Sequence, residues 1–396
     1  MRVLPDGTEE WSSPGIFEVV PGVYRVPLPL PSDGLRAVNV YALTTGAGVV
    51  LIDSGWAIPD ARRLLAEAFD ALGWSFTDVE RFLITHVHRD HYTQAVHLRR
   101  EFGTSIGLGI GEQPAIEAAM DPTRVPLQHQ LMQLRRSGAG ALADHLAQVA
   151  GIQEDINRLD FERPDHWFTQ GEVVTAGARA LDVVPTPGHT QGHVVFHDVD
   201  GGLLFAGDHV LPTITPSIGF EPVTAPNPLG DFLLSLAAVR ARPDATLLPA
   251  HGPVTASVHQ RVDELVHHHG GRLEQTEVAV AAGAHTAFEV AGRLRWTRRE
   301  RSFTDLDPYS QMLAVSETGA HRELLLVQGR LYSAEEQGVR RSRTSSGGEL
   351  SGATCPTEPP CPGTRGAVAP LPGTSAFACA VPGSDPPALS AVLPRS

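Results

Sequence analysis

The amino-acid sequence predicts an α/β fold with a small C-terminal module and a disordered tail. Short β-branched segments bounded by Gly, Pro or Asp alternate with segments whose apolar residues recur at helical spacing. Several of the apolar segments end directly at a His or Asp. After about residue 341 the chain becomes dense in Pro, Gly, Ser and Thr without any period, which is typical of disorder.

Length and composition allow one large domain with an appendage, or two domains, since the chain has 396 residues and is 42% hydrophobic. No apolar run approaches the roughly 18 residues of a membrane helix. The N-terminal "MRVLPDGTEEWSSPG" lacks the apolar segment of a signal peptide, so we expect a cytoplasmic protein with no membrane contact.

The charge distribution argues against a general nucleic-acid binder. The net charge is -14, and all 31 basic residues are arginine. An acidic chain attracts phosphate backbones poorly, although a local arginine patch could still bind them. The three cysteines, Cys355, Cys361 and Cys379, all lie in the predicted tail, so a metal site elsewhere would use nitrogen and oxygen ligands.

In the first half of the chain, strands are predicted in "GVYRVPLPL", "VNVYAL" and "GVVLIDSG". The segment "PDARRLLAEAFDALG" predicts a helix that ends at Gly73. A strand in "VERFLITH", a helix in "HYTQAVHLRREFG" and a strand in "TSIGLG" follow. Residues 121–166 are helical and arginine-bearing, and we interpret them as a lid-like insertion that could cover a cleft.

In the second half, strands are predicted in "RALDVVPTPGH", "HVVFHDV", "GLLFAGDHV" and "ATLLPAHG". Helices are predicted in "PLGDFLLSLAAVRA" and "TASVHQRVDELVHHHGGRLEQTEVAVAAG". Helical signals followed by a strand pair in "RELLLVQGRLYS" suggest a winged-helix-like module. The resulting domain prediction is a main domain over 15–271, the module over 272–341 and the tail over 342–396.

The segment "THVHRDHYTQ" carries four ligand-type side chains within six positions, namely His86, His88, Asp90 and His91. In an extended segment, residues i and i+2 point to the same side, so His86 and His88 could bind one ion. The chain then turns, and Asp90 and His91 could face a second position. A single buried histidine is more often a core residue, but this density favours a metal site.

Further ligand-type residues end other predicted strands. His189 follows a Pro-Gly turn, Asp208 follows Gly207, His251 follows an apolar strand, and Asp53 ends an early one. Polar side chains gathered at one edge of a sheet are how α/β proteins build sites.

Two other groups of histidines have weaker interpretations. His193 and His209 stand next to ligand-type residues, and ordinary packing or hydrogen bonding is favoured over a direct role for them. The "HHH" at 267–269 is assigned to a solvated helix face, since consecutive helical residues point in different directions.

Together these residues resemble the five-motif signature of the metallo-β-lactamase superfamily, over roughly residues 15–255. The resemblance implies a four-layer αβ/βα sandwich. It implies one metal ion at His86, His88 and His189, a second at Asp90, His91 and His251, and a bridging Asp208. Asp53 would hold the histidine loop by hydrogen bonds without binding metal. This donor set suits zinc best, with two ions per chain, and also admits iron or manganese.

One stretch departs from the family pattern. Many members have a small residue and glycines after the Asp-His pair, whereas this chain has Tyr92, Thr93 and Gln94. We expect these larger side chains to reshape the pocket beside the metals.

The resemblance implies a hydrolase in which a hydroxide bound by two zinc ions cleaves a thioester, ester or lactone. Asp90 could also accept a proton. Antibiotic hydrolysis is disfavoured because the true β-lactamases of the family usually lack the complete ligand set. The expected partner is a small acyl substrate, and a homodimer is compatible with the family.

Two alternative functions stay open. The C-terminal module and its arginines, Arg293, Arg295, Arg298, Arg299 and Arg301, resemble those of lactamase-like endoribonucleases that cut single-stranded RNA. The third hypothesis is an oxidoreductase similar to persulfide dioxygenases, which would use one iron ion.

Overall fold

The computed structural model describes residues 1–31, 34–125, 127–153 and 160–345. The predicted disordered tail lies outside the described residues from 346 onward. Its predicted first residues, 342–344, form the end of a strand. No helix in the described ranges combines the length and apolar character needed to cross a membrane.

The first sheet has eight strands that lie side by side in chain order. They are β1 (Val3–Pro5), β2 (Ile16–Val20), β3 (Val23–Pro29), β4 (Ala37–Thr44), β5 (Val49–Ile52), β6 (Val79–Leu83), β7 (Ser105–Gly109) and β8 (His166–Phe168). Pairing is antiparallel from β2 to β5 and parallel from β5 to β8. Helices α1 (Pro59–Leu72), α2 (Arg89–Phe102) and α3 (Gln113–Met120) add buried residues to the core on its outer face.

The second sheet has five strands in the order β13-β12-β11-β10-β9. They are β9 (Val173–Ala176), β10 (Arg179–Pro185), β11 (Val194–Asp198), β12 (Leu203–Gly207) and β13 (Thr246–Pro249). Helices α6 (Pro228–Arg240) and α7 (Val258–Ala281) pack on its outer face.

Three buried clusters define the layers. One contains side chains from both sheets, including Tyr41 of β4 and Phe205 of β12, whose rings meet edge to face at 5.4 Å. The other two join each sheet to its own helices. Helix, sheet, sheet and helix layers therefore follow one another, which confirms the predicted four-layer αβ/βα sandwich.

The remaining elements belong to the insertion and the C-terminal module. The insertion contributes α4 (Gln128–Arg136) and α5 (Gly140–Gln153). The module contributes α8 (Ala287–Ala291), α9 (Pro308–Val327) and a hairpin of β14 (Leu331–Glu336) and β15 (Val339–Thr344). Both share one apolar core with the outer face of the second sheet. The predicted boundary between residues 271 and 272 falls inside α7.

One strand prediction was wrong. The segment "RELLLV" is the last part of α9, and the strand pair is the β14–β15 hairpin, which begins at Leu331. The helix begins where the Asp307 side chain accepts a hydrogen bond from Ser310 N at 3.0 Å. It continues through the buried Leu324 and Leu325 and ends before Gly329, whose φ is 69°. A short apolar run cannot by itself distinguish a helix from a strand.

Candidate metal centre

The ligand-type side chains follow the ends of strands, as their sequence positions suggest. His86 and His88 lie between β6 and α2, and Asp90 and His91 occupy the first turn of α2. Asp208 comes directly after β12, and His251 comes shortly after β13. His189 lies in the loop between β10 and β11. The fold gathers these side chains into two adjacent clusters.

The first cluster contains three imidazoles. His86 Nε2 lies 2.9 Å from His88 Nδ1, and His189 Nε2 lies 3.1 Å from the same His88 atom. One carboxylate oxygen of Asp208 belongs to this group, in which all ligand atoms lie within 4.8 Å of one another.

The second cluster contains two imidazoles and a carboxylate. Asp90 Oδ2 lies 3.4 Å from His251 Nε2 and 3.5 Å from His91 Nε2. Asp208 lies between the two clusters. Its Oδ1 is 3.3 Å from His251 Nε2, while its Oδ2 is 3.5 Å from His189 Nε2. This carboxylate can therefore serve both clusters at once.

Hydrogen bonds outside the clusters orient the histidines. His189 Nδ1 donates to the Ser217 carbonyl at 2.8 Å, and His251 Nδ1 donates to the Ala37 carbonyl at 2.7 Å. Because Nδ1–H of each ring donates to a backbone carbonyl, the lone pair of each Nε2 is free to face the cluster. Histidines that bind metals in proteins are commonly held in this way.

Three buried polar atoms of the two clusters have the character of metal ligands. His91 Nε2, His251 Nε2 and Asp208 Oδ1 are buried and have no hydrogen-bond partner among the described residues. Buried side-chain polar atoms are mostly satisfied in native proteins, so unsatisfied ones require an explanation. The residues present therefore fit bound metal, with nitrogen and oxygen donors in both clusters.

The histidine pKa values shift in opposite directions in the two clusters. Burial, followed by the neighbouring His189, lowers the pKa of His88 to about 3. Burial also lowers the pKa of His91, but the carboxylates of Asp90, Asp53 and Asp208 outweigh it and raise that pKa to about 10. The first cluster thus offers neutral nitrogens at neutral pH, whereas in the second cluster the carboxylates favour a positive charge on His91, and a bound cation would take the place of that proton.

Asp53 supports the second cluster from behind. Its Oδ2 accepts a hydrogen bond from His91 Nδ1 at 2.8 Å, and its Oδ1 accepts one from Thr85 N at 2.8 Å. The residue is 2% exposed and adopts a left-handed backbone with φ of 60°. It is not a member of either group of ligand atoms. Its contacts instead fix the histidine loop and the ring of His91.

Replacing Asp53 with asparagine is expected to weaken metal binding by about 10–100-fold while the chain still folds. An amide cannot accept from both Thr85 and His91 as a carboxylate does, so the His91 ring loses its orientation. Zinc affinity, measured by competition with a chromogenic chelator, checks this. The control is Asp60→Asn, at an exposed position in the first turn of α1. Equal affinities for wild type and Asp53→Asn would contradict the assigned role.

His193 makes a contact that sequence reasoning left undefined. Its Nε2 accepts from the backbone N–H of Asp208 at 3.1 Å, and its Nδ1 donates to Thr186 Oγ1 at 2.8 Å. It therefore positions the Asp208 backbone. His209 is buried beside the ring of Phe232, with 5.1 Å between ring centroids.

The expectation that Tyr92, Thr93 and Gln94 reshape the metal pocket was wrong. The Tyr92 hydroxyl donates to the Glu162 carbonyl at 2.6 Å, and its ring is buried in the core of the first sheet. Thr93 Oγ1 accepts from Ala57 N at 2.9 Å, and Gln94 Nε2 donates to the Ser54 carbonyl at 2.7 Å. Successive helical residues point about 100° apart. All three side chains are nevertheless buried, so α2 meets the protein interior on several sides.

The assignment of the triple histidine to a solvated face was also wrong for its last member. His269 is buried, and its Nδ1 lies 3.1 Å from His321 Nε2 of α9. Three consecutive residues cover most of a helix circumference, so one of them meets the core. His268, His269 and Glu317 bring ligand-type atoms together. However, Arg272 Nε already lies 4.0 Å from Glu317 Oε1, and its charge opposes a bound cation.

Comparison with known proteins agrees with this geometry. Residues 33–251 match the model of a family described as the metallo-beta-lactamase superfamily. A hydroxyacylglutathione hydrolase from Fuscovulum blasticum is 30% identical over 242 residues, which cover 61% of this chain and 68% of that protein. The probable metallo-hydrolase YqjP of Bacillus subtilis is 26% identical over 311 residues, covering 76% of this chain and 90% of the relative.

A solved structure shows the same architecture. The crystal structure of a beta-lactamase domain protein from Burkholderia ambifaria superimposes with a TM-score of 0.72 and 28% identity. The match covers 86% of this chain and 96% of the other. The family match spans more than half of the chain and contains both clusters. The chain therefore belongs to the metallo-beta-lactamase superfamily.

Proposed function

We propose that the protein is a metal-dependent hydrolase of acyl thioesters, with esters and lactones as related substrates. The observation that carries this proposal is the pair of adjacent donor clusters with Asp208 between them. A relative named hydroxyacylglutathione hydrolase, at 30% identity, supports thioester chemistry. The net charge of -14 also favours a small acyl substrate over a polyanion.

We propose two zinc ions per chain, with iron or manganese as alternatives. Histidines His86, His88 and His189 would hold one ion, and Asp90, His91 and His251 the other, with Asp208 shared. Divalent ions held in this way supply Lewis acidity and lower the pKa of a coordinated water to about 7.

The exposure of the site residues indicates where a substrate would enter. His86, His91 and His251 are buried, whereas His88 is partly exposed and the Asp90 side chain is 15% exposed. An acyl group would therefore approach on the side of His88 and Asp90. We propose that the Asp90 carboxylate also accepts a proton released during attack and passes it to the leaving thiolate.

Elemental analysis combined with a substrate panel tests the proposal. We expect about two zinc ions per chain and turnover of glutathione and coenzyme A thioesters. His88→Ala should remove most of the activity, because it takes one of three nitrogens from the first cluster. The matched control is His97→Ala, in the helix α2 that begins just after His88, where the ring is 37% exposed and pairs with Asp160 at 2.7 Å. Absence of turnover across thioesters, esters and lactones would refute the proposal.

Other outcomes of that experiment would favour the two alternatives. Arg295, Arg298 and Arg299 are exposed on the C-terminal module, which keeps an RNA substrate as the second candidate. Metal-dependent cleavage of single-stranded RNA, weakened by salt and by Arg298→Ala, would support an endoribonuclease. One iron per chain with oxygen-dependent oxidation of a persulfide would support the oxidoreductase.

A further inference from the structure

A cavity of about 340 Å³ lies apart from the metal centre. Helix α4, helix α9 and the segment 219–228 form its walls. None of the seven clustered His and Asp side chains lines it in the described part of the chain. Its apolar surface comes from residues such as Leu134, Pro226, Val315, Ala320 and Leu326.

Arg322 brings to this cavity a positive charge that forms no ion pair among the described residues. Its side chain is buried, with 5% of the residue exposed. One terminal nitrogen donates to the carbonyls of His285 and Arg340 and to Ser342 Oγ, and all three partners are neutral acceptors. Nε is buried and has no hydrogen-bond partner among the described residues. The neighbouring carboxylate of Glu323 pairs with Arg340 instead.

A buried guanidinium such as that of Arg322 is unfavourable in free energy when it has no counter-ion. A buried charge that lacks an opposite charge pays a desolvation penalty that hydrogen bonds to neutral groups offset only in part. Burial, followed by the charge of Arg340, lowers the pKa of Arg322 to about 10, so the guanidinium stays charged at neutral pH. A second positive charge, Arg136, lies at the cavity with its side chain 45% exposed and 3.0 Å from Glu335.

We propose that this cavity binds an organic anion, a carboxylate or phosphate carried on an apolar body. The anionic group would meet Arg322 and Arg136, and the apolar body would pack on Val315, Ala320 and Leu326. Two sources supply this chemistry, namely the acid released by hydrolysis and the anionic end of a thiol carrier. The site goes beyond the proposed reaction, since the cavity exists whichever bond the metal centre cleaves.

The cavity shares a segment of chain with the metal centre. The Ser217 carbonyl accepts from His189 Nδ1 at 2.8 Å, while Gly219 and Thr224 of the same segment line the cavity. Thr224 Oγ1 lies 2.9 Å from His129 Nε2 of α4. An anion in the cavity would therefore contact the segment that orients one of the first cluster's imidazoles.

Gly319 offers a way to fill the cavity without disturbing the fold. It lies within α9 and lines the cavity, and a Cβ added there would meet no atom within 4 Å. Leucine also has a higher helix propensity than glycine, so Gly319→Leu should fold. The matched control is Gly270→Leu in α7, where an added Cβ likewise meets no atom within 4 Å and no cavity lining is affected.

The probe is 8-anilinonaphthalene-1-sulfonate, which carries an anionic group on apolar rings and becomes fluorescent in apolar surroundings. Titrated into the metal-loaded full chain, it should bind saturably to wild type and to Gly270→Leu. Gly319→Leu should bind at least about tenfold more weakly, as expected when a side chain removes the contact volume. Arg136→Gln should reduce the salt dependence of binding, because it removes one charge at the cavity.

Competition then identifies the source of the anion. Displacement by octanoate assigns the cavity to the released acid, and displacement by glutathione or coenzyme A assigns it to the thiol carrier. Equal binding of the probe to wild type and Gly319→Leu would overturn the proposal, as would saturable binding to neither. Because the experiment measures binding of the probe, its result can be interpreted even if the protein does not hydrolyse thioesters.

Discussion

Replacing Asp208 with alanine is expected to lower hydrolysis by more than roughly 100-fold, which exceeds the loss from removing a residue that only supports a metal ligand. The two carboxylate oxygens of Asp208 face different clusters, with Oδ1 3.3 Å from His251 Nε2 and Oδ2 3.5 Å from His189 Nε2. One substitution therefore takes an oxygen donor from both clusters. The measurements are kcat/KM on a thioester substrate and the metal content per chain, and both should fall together.

The control for this prediction is Asp200→Ala, at an exposed position between β11 and β12. This variant also loses an aspartate side chain, but Asp200 belongs to neither cluster. Two ions retained per chain in Asp208→Ala would show that the carboxylate is not shared, and the two-cluster interpretation would then be wrong.

Phe205→Ala is expected to destabilise the protein by about 3–5 kcal/mol, because it removes a large ring from a fully buried site. The residue is 0% exposed in β12, and its ring packs edge to face on Tyr41 of the other sheet. A loss of this size is a large part of the total stability of a typical domain, about 5–15 kcal/mol. Equilibrium unfolding in guanidinium chloride measures it through the shift in the transition midpoint.

Phe102→Ala provides the comparison, because that ring is 39% exposed at the end of α2. Its loss should be about 1 kcal/mol or less. A Phe205→Ala variant no less stable than Phe102→Ala would show that the two sheets do not share the apolar core described here.

Much of the metal centre could be predicted because its residues end strongly apolar strands. β12 is buried throughout, β6 and β13 end in buried apolar residues, and His86, Asp208 and His251 follow these strands closely. In such strands, both the run of apolar residues and the polar residue that follows it can be recognised in the sequence. The four layers follow from the same alternation of strands and helices, together with the family resemblance.

Contacts that depend on strand pairing could not be read from the sequence. The hydrogen bond from Asp208 N to His193 arises because β11 and β12 pair antiparallel, with Phe196 opposite Phe205. Extending this register beyond the strand ends brings His193 opposite Asp208. The motif "HTQGH" shows two histidines but contains no information on which strand lies beside them.

The direction in which helical side chains point was the second feature that the sequence did not predict. Tyr92 and His269 were expected near metal or solvent, and both are buried. Which face of a helix meets the core depends on the elements packed against it, and α7 is covered by both α6 and α9, where Phe232 and His321 contact His269. Short elements such as β1 and β8, three residues each, also escape detection because they show too few periods.

The course of α7 has a consequence for how this polypeptide could be divided. A single helix of 24 residues contributes to the core under the second sheet and continues across the predicted boundary to α8 and α9. A truncation at residue 271 would leave half a helix and an uncovered apolar surface. The C-terminal module, as far as residue 345, is thus an integral part of the folding unit, and an engineered minimal enzyme would have to keep it.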